Sequence, residues 1–240
     1  NDIVITDSQI DNKMNCIFSY YCSNSGAIAN FTIASENLEL HNSSLSSVKY
    51  DEMNSYLYVR STDALFDDYT LTSVDYLYLT VTNTTKLYNT NDITCDAKCD
   101  LKINNSELIN GSWVTQTSNF NLIDRGLTST ISDINWQIIS KVASFNVDNN
   151  ANKLNITNSV IDLSYTDTSS GSELDNEFVV NADIVNIDNS NITVFSNSNS
   201  SVGTPGSKAF TYISANDIVI TDSQIDNKMN CIFSYYCSNS

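Results

Sequence analysis

The sequence predicts an all-β fold in which short parallel strands stack as the turns of a solenoid, and three observations favour it. The first is a segment of the form apolar-x-apolar, one further residue, Asp or Asn, usually Ser, and another apolar residue. It recurs as IVITDSQI at Ile3, LELHNSSL at Leu38, LKINNSEL at Leu101, LNITNSVI at Leu154 and VNIDNSNI at Val185. Apolar residues that alternate with a period of two are typical of strands that bury one face.

The second observation is a composition that permits many turns with few of the usual turn residues. The 240 residues include one Pro and six Gly, whereas Asn, Asp, Ser and Thr are abundant. Asn and Asp tolerate the left-handed backbone conformation that a tight turn requires. The hydrophobic fraction of 41 % is enough for a sizeable core. We therefore expect strands joined by Asn- and Asp-based corners rather than helices.

The third observation is that the chain returns to its own beginning. Residues 216–240 repeat residues 1–25 letter for letter. We predict one complete unit, 1–215, followed by the start of the next identical unit, 216–240. A duplicated overlap at the chain ends is the alternative. In either case the end of one unit leads into the start of another, as in an array or a filament.

The recurrent segment assigns one corner residue to each turn of the predicted solenoid. Degenerate copies, YVRSTDAL, LTVTNTTKL and NLIDRGL, fill the gaps between the clear ones. The predicted column of corner residues is Asp7, Asn42, Asp63, Asn83, Asn105, Asn158, Asn189 and Asp222. Asp124, which precedes Arg125 and Gly126, fits less well. Including Asp124, successive corners lie 19 to 35 residues apart, which gives about eight turns per 215-residue unit.

A further short strand precedes many of these corners by about a dozen residues, as at 31–33, 145–147, 178–180 and 210–212. Three short strands per turn with an Asn or Asp at one tight corner resemble the right-handed parallel β-helix of pectate-lyase-like folds, as used by Asn-rich microbial adhesin-like surface proteins. That resemblance implies a left-handed residue at each corner and a ladder of stacked Asn side chains. It informs on fold more than on function.

Alternation along the strands assigns side chains to the inside or the outside of the solenoid. The expected interior columns are aliphatic and comprise Ile3, Ile5, Leu38, Leu40, Leu101, Ile103, Leu154 and Ile156. Two pairs of tyrosines, Tyr56 with Tyr58 and Tyr76 with Tyr78, alternate with apolar residues and are expected to face outwards. If these pairs lie one turn apart, their rings stack along the surface; ordinary strand aromatics are the alternative.

The six cysteines fall into close pairs. Five residues separate Cys16 from Cys22 (C-x5-C), three separate Cys95 from Cys99 (C-x3-C), and Cys231 and Cys237 repeat the first pair. We interpret them as local disulfides and infer an oxidising, extracytoplasmic location. A four-cysteine zinc site is the alternative, although its spacing is not the usual C-x2-C.

Acceptor sequences for N-linked glycosylation occur at eight positions: Asn30, Asn42, Asn83, Asn104, Asn110, Asn155, Asn191 and Asn199. Because Asn, Ser and Thr are so frequent, about eight are expected by chance, so these sequences permit glycosylation without indicating it. The formal net charge of −17 and the pI near 4.1 disfavour nucleic acid and anionic membrane surfaces as partners. No apolar run approaches the ~20 residues of a membrane-spanning helix.

Four turns are longer than the others, with their additional residues near 12–27, 127–143, 164–177 and 195–208. Phe18, Tyr20, Tyr21 and Trp136 lie in the first two of these loops, and form a candidate binding site for carbohydrate or for a neighbouring filament. Lateral padding over apolar surface is the alternative. The sole histidine, His41, lies beside a corner Asn without an evident nucleophile. We therefore predict neither an enzyme nor a cofactor.

These observations predict a structural role outside the cell. We expect a disulfide-stapled filament or stalk at the cell surface, in which identical units follow one another head to tail, either within one covalent array or by self-assembly. A cell-surface adhesin that binds a glycan or receptor through aromatic loops is the alternative. An enzyme on the same scaffold is the third and least favoured function.

Overall fold

A computed structural model shows one parallel β-sheet that winds into a solenoid, consistent with the predicted right-handed parallel β-helix. The structure describes residues 1–14, 28–49, 54–167, 174–198 and 208–231. Its strands are β1 (Asp2–Thr6), β2 (Gln9–Met14), β3 (Ile28–Lys49), β4 (Asn54–Ser73), β5 (Tyr76–Cys95), β6 (Lys98–Ile103), β7 (Ser106–Asp124), β8 (Thr128–Thr157), β9 (Val160–Asp167), β10 (Asp175–Asp188), β11 (Asn191–Ser198), β12 (Lys208–Ser214), β13 (Asp217–Thr221) and β14 (Gln224–Cys231). The described residues form no helix, and hence none long and apolar enough to cross a membrane.

Each turn of the chain, here called a rung, contributes three strand segments that lie on three faces of the solenoid. Segment A precedes the Asn or Asp corner, segment B follows it, and segment C leads to the next rung. In the first rung, A is β1, B is β2 and C is the start of β3. The longer strands run through several bends without a break, so that β3 also supplies segments A and B of the second rung.

Stacking in register gives the interior continuous columns of side chains. On face A, Leu40 pairs with Phe66, Phe66 with Leu87 and Leu87 with Leu108, and all four are buried. On face C, Val59, Leu79, Leu101 and Leu122 form a second column of this kind. Adjacent rungs lie at strand spacing, about 4.8 Å, so every interior side chain contacts those above and below it. Burial of these columns is the main stabilisation of the fold.

One part of the predicted interior requires correction. Leu101 and Ile103 are buried, but they belong to the column on face C and not to the column of Leu38 and Leu40 on face A. The segment LKINNSEL has the same pattern as the segments that cross the A-to-B corner, although it crosses the bend from C to A. Pattern alone does not distinguish two bends that use the same residue types.

The outward tyrosine stack is confirmed. Tyr56 pairs with Tyr76 and Tyr58 with Tyr78, one rung apart on face C. The ring centroids are 4.7 and 5.0 Å apart with interplanar angles of 9° and 8°. The rings are therefore stacked nearly parallel, at about the distance between adjacent rungs.

The assignment of Trp136 to a binding loop is wrong. Trp136 lies on segment B of β8, in register with Trp113 of β7, and the two ring centroids are 4.5 Å apart. Their exposed fractions are 2 % and 5 %, so both rings are part of the core. The range 127–143, predicted as a long loop, is largely strand. Phe18, Tyr20 and Tyr21 lie outside the described residues, as do most of the other three predicted loops.

Replacing Trp136 with Ala should lower the free energy of unfolding by about 3–5 kcal/mol, because it empties a large volume in a packed column. Urea unfolding of the variant and of Trp136→Phe, which keeps a ring and should lose less, measures this. Tryptophan emission of the native protein should be blue-shifted and weakly quenched by acrylamide. Emission and quenching like those of the unfolded chain would contradict the buried position.

Candidate functional site

The feature that organises the solenoid is a column of left-handed corner residues between segments A and B. It contains one residue from each of nine described rungs: Asp7, Asn42, Asp68, Asn89, Asn110, Asp133, Asn158, Asn189 and Asp222. Their φ angles lie between 45° and 60°. The strand pairs on either side of each corner align them in one column. The column returns to the same residue, Asp7 to Asp222, after eight rungs, which is the number that the sequence predicts.

Side chains along the column are hydrogen-bonded from rung to rung. The amide nitrogen of Asn42 donates to Asp7 over 2.7 Å, that of Asn110 to Asn89 over 2.8 Å, and that of Asn189 to Asn158 over 2.9 Å. An Asn at a corner therefore supplies both the backbone conformation and a donor to the preceding rung. An Asp accepts such a bond but has no amide to donate.

A serine after the corner adds a second column in the outer rungs. The hydroxyl of Ser190 donates to the carbonyl of Asp188 over 2.7 Å and accepts the backbone N–H of Ser159 over 3.1 Å. In the middle rungs, buried residues of other types stand at this position, among them Tyr69 and Thr90, whose hydroxyls are 2.9 Å apart. Burial raises the pKa of Tyr69.

Three of the predicted corner residues lie elsewhere. Asp63 and Asn83 are strand residues at the bend from C to A and do not have positive φ, although the amide of Asn83 donates to Asp63 over 2.8 Å. Asn105 is left-handed, with φ of 43°, but it also lies at this second bend. Asp68, Asn89, Asn110 and Asp133 occupy the corners in place of Asp63, Asn83, Asn105 and Asp124. These four corners lack the Ser that marks the others, which is why the pattern missed them.

Asp124 is a buried carboxyl group at the second bend. Its oxygens accept hydrogen bonds from the hydroxyls of Ser106 and Ser129 and from the backbone N–H of Gly126. Burial raises the pKa of Asp124, and these three bonds only partly oppose that effect. Gly126 is required here because a Cβ atom would lie 1.8 Å from the backbone nitrogen of Asn105.

The local disulfide between Cys95 and Cys99 is confirmed. Cys95 ends β5 and Cys99 lies in β6, so the bond spans the bend from B to C, and both residues are buried. Cys16, Cys22 and Cys237 lie outside the described residues, and Cys231 is the last residue of β14. Their pairing stays a prediction.

The glycan acceptor sequences differ in how their Asn side chains are used. Asn42, Asn83, Asn104 and Asn110 each donate a hydrogen bond from the amide nitrogen. Asn155 accepts one from Asn186. Asn30 and Asn191 are exposed, and among the described residues their amide nitrogens have no hydrogen-bond partner. Asn199 lies outside the described residues.

An open groove of about 580 Å³ runs along the corner column. Its described lining includes Asn89, Asn110, Asp133 and Asn158, and Asp133 is the only ionisable residue among the lining residues. His41 lies on the outside of β3 with its Nε2 atom 3.3 Å from Glu39. Among the described lining of the groove, no second ionisable side chain stands beside Asp133.

The last described rung exposes residues that face inwards. Ile218 and Ile220 of β13 pair with Val185 and Ile187 of β10, which are fully buried, yet each remains 47 % exposed. Above β13 and β14 the described structure has no further strand. The inner face of this rung is therefore uncovered on one side.

Comparison of the chain with protein-family models, with curated proteins and with solved structures found no match.

Replacing Asn89 with Ala should cost about 2–3 kcal/mol, since the left-handed conformation costs a residue other than Gly or Asn about 1–2 kcal/mol and a hydrogen bond about 1 kcal/mol. Asn89→Gly should lose only the hydrogen-bond part. The matched control is Asn83→Ala, at the position that the sequence assigned to the corner, and it should cost less than about 1 kcal/mol. Equal losses for Asn89→Ala and Asn83→Ala, measured by urea unfolding, would contradict the corrected column.

The raised pKa of Asp124 should make its contribution to stability depend on pH. A carboxyl group that binds its proton more tightly in the folded state stabilises the fold below the unfolded pKa, about 3.9, and that contribution is lost as pH rises through the folded pKa. The free energy of unfolding of Asp124→Asn minus that of the unmodified protein should therefore increase with pH over this window. Asp188→Asn, on an exposed strand position, is the control. If the difference in the free energy of unfolding between Asp124→Asn and the unmodified protein does not change with pH, the raised pKa of Asp124 is wrong.

Proposed function

We propose that the chain is a structural segment of an extracellular filament or stalk, built as a continuous β-solenoid of identical units placed head to tail. Each unit spans 1–215, and 216–240 begins the next. The scaffold is of the pectate-lyase-like kind found in microbial adhesin-like surface proteins. In the proposed rod, continuous backbone pairing from unit to unit would provide mechanical stiffness. The proposal includes no cofactor, no nucleic acid and no membrane insertion of this segment.

One observation carries this proposal: the same sequence occurs in two rungs that are paired on opposite edges. β1 pairs with β3 on the side towards the second rung, from Asp2 with Asn37 to Thr6 with His41. β13, with the identical sequence, pairs with β10 on the side towards the eighth rung, from Ile184 with Asp217 to Asp188 with Thr221. Each copy leaves unpaired the edge that the other copy pairs. If the repeated sequence forms one rung at the junction, that rung pairs with a strand on each side. The solenoid then continues from unit to unit with no unpaired strand edge at the junction.

Interior packing supports the same junction. Ile218 and Ile220, each 47 % exposed at the last rung, have the positions of Ile3 and Ile5 in the first. In the continuous solenoid they would stack between Val185 and Ile187 below and Leu38 and Leu40 of the following unit above. Full burial of an Ile side chain stabilises by about 1.5–3 kcal/mol, so covering the exposed half of each contributes roughly 1 kcal/mol.

An open solenoid end is otherwise a liability. Unpaired strand edges pair with other chains, and natural solenoids cover their ends with polar or helical caps. The described residues include no helix, and the final rung presents apolar residues instead. Continuation by an identical unit removes the edge without a cap. We favour a single covalent array, because tandem units then need no separate interface.

An extracellular location is supported by the disulfide between Cys95 and Cys99, which is typical of oxidising compartments. The adhesin alternative loses support, because Trp136, the one described residue among its four candidate binding residues, is buried. The groove along the corner column offers no converging acid and base, which favours a role other than catalysis.

Chains of one, two and three units, each closed by 216–240, should lengthen by about 38 Å per added unit, because eight rungs advance the solenoid at about 4.8 Å each. Electron microscopy and small-angle scattering measure this increment and the stiffness of the junction. Ile5→Asp at the junction rung should introduce a flexible break, whereas Val4→Asp on the outward side of the same strand should not. Units that tumble independently, or a junction that tolerates Ile5→Asp, would contradict a continuous solenoid.

A further inference from the structure

Two pairs of aromatic rings lie on the outside of face C, one near each end of the 215-residue unit. If units follow one another head to tail, a single rung without an aromatic ring separates the two pairs. The first pair, Tyr56 and Tyr58, has parallel rings with an interplanar angle of 2°, and it is covered on one side by Tyr76 and Tyr78. On the other side the rung below offers only short residues, because Tyr56 pairs with Asn30 and Tyr58 with Thr32. The faces of these two rings that point towards Asn30 and Thr32 therefore have no aromatic neighbour.

The second pair is Phe210 and Tyr212 on β12. Their rings are parallel within 6°, and their exposed fractions are 42 % and 46 %. They lie on the last described segment C, outward on the same face as the tyrosines. Continuation of the solenoid places the first segment C of the following unit directly above them.

The register of that junction follows from the first rung. β1 pairs with β3 at an offset of 35 residues, as in Asp2 with Asn37, and the carbonyl of Asn1 extends the pattern by accepting the N–H of Glu36. Residues 216–221 repeat residues 1–6. We take the junction to keep one offset through the bend from C to A, as β3 does with β4 from Ser35 with Ser61 to Asn37 with Asp63. This offset aligns Phe210 with Asn30 of the following unit and Tyr212 with Thr32 of that unit.

The junction therefore contains a gap in an aromatic stack. Phe210 and Tyr212 lie one rung below Asn30 and Thr32, and Tyr56 and Tyr58 lie one rung above. The two ring pairs are two rungs apart, roughly 9.6 Å, with one level between them that short side chains do not fill. Tyr76 stacks on Tyr56 at 4.7 Å, so a single flat ring of similar size fits that level.

Asn30 has the chemistry to place such a ring there. It begins the acceptor sequence Asn30-Phe31-Thr32, it is exposed, and its Oδ1 atom accepts the hydroxyl of Thr32 over 3.2 Å. Its Nδ2 atom, to which an N-linked sugar is joined, has no hydrogen-bond partner among the described residues. Asn191 is also exposed, but it pairs with Val160 and Gln224 and has no aromatic ring beside it.

We propose that Asn30 carries an N-linked glycan whose first pyranose ring lies between Phe210 of the preceding unit and Tyr56 of its own unit. The apolar C–H faces of the sugar would then contact the ring faces that the protein leaves uncovered. In the attachment step, Nδ2 bonds to the anomeric carbon of a polyprenyl-pyrophosphate-linked oligosaccharide, the bond to pyrophosphate breaks, and Nδ2 loses a proton. This inference rests on the proposed extracellular, head-to-tail solenoid.

The test uses a chain of two consecutive units closed by 216–240, secreted from glycosylating eukaryotic cells and compared with the same chain made without glycosylation. Glycopeptide mass spectrometry should find Asn30 occupied. Trimming with an endoglycosidase to the single first sugar should preserve the gain in Tm over the unglycosylated chain, about 2–4 °C. Asn30→Gln should abolish that gain, whereas Asn191→Gln, the accessible site without rings, should leave it unchanged.

The aromatic contacts are tested separately from attachment. Tyr56→Ser and Phe210→Ser should each reduce the glycan-dependent gain in Tm, while the control Tyr76→Ser, which lies one level away, should lower Tm equally with and without the glycan. An unoccupied Asn30, or a gain that neither Tyr56→Ser nor Phe210→Ser reduces, would overturn the proposal. If Tyr56→Ser reduces the glycan-dependent gain in Tm but Phe210→Ser does not, the sugar contacts Tyr56 and the proposed junction between units is wrong. This outcome distinguishes failure of the filament from failure of the glycan site.

Discussion

The left-handed corner between segments A and B is the constraint on which the rest of the solenoid depends. A residue with φ near 50° is costly for most side chains and cheap for Asn, and the Asn amide also donates to the corner of the preceding rung. One residue type thus fixes both the bend and the rung-to-rung alignment. Alignment of the corners fixes the register of the strands on both sides, and that register builds the interior columns, the tyrosine stack and the position of the disulfide at the next bend.

Stacking in register also leaves the first and last rungs of the solenoid able to pair with a further strand. Each rung offers its neighbour the same backbone groups and the same inward apolar positions, so the last rung remains as receptive as every interior one. In the proposed head-to-tail arrangement, the repeated first rung would meet this requirement. An array that returns to Asp7 as Asp222 after a whole number of rungs keeps the corner column unbroken across the junction.

Sequence reasoning identified the fold class, the number of rungs and the corners at Asp7, Asn42, Asn158, Asn189 and Asp222, because these corners combine a left-handed residue with a serine that caps the bend. It assigned the wrong corner residues in the middle of the chain. There no Ser follows the true corner, and the bend from C to A contains the same residue types. Asn105 illustrates the difficulty, since it is left-handed and followed by Ser106 but lies between segments C and A.

The failures at the candidate site have a similar physical origin. Alternation within a strand shows which residues share a face, but it does not show whether that face is the inner one when both contain aromatic residues. Trp136 therefore looked like a loop residue, although the in-register partner Trp113 and the following Ile138 place its segment inside. The proposed gap over Asn30 was not predicted from the sequence, because it depends on the strand register between Phe210 and Asn30 of the following unit, 35 residues further along the chain.

Charge decides what can cover the aromatic residues of face C. The repeated segment 216–240 contributes three aspartates and one lysine, so a 215-residue unit carries a net charge of −15. Spread over roughly 38 Å, this is about one net negative charge per 2.5 Å, not far from the 1.7 Å of duplex DNA. Two such rods repel each other once their surfaces approach within the screening length of about 8 Å, which opposes side-by-side packing over Phe210 and Tyr212. The proposed sugar on Asn30 is neutral and joined to the chain itself, so it would meet no such repulsion and would cover the same rings.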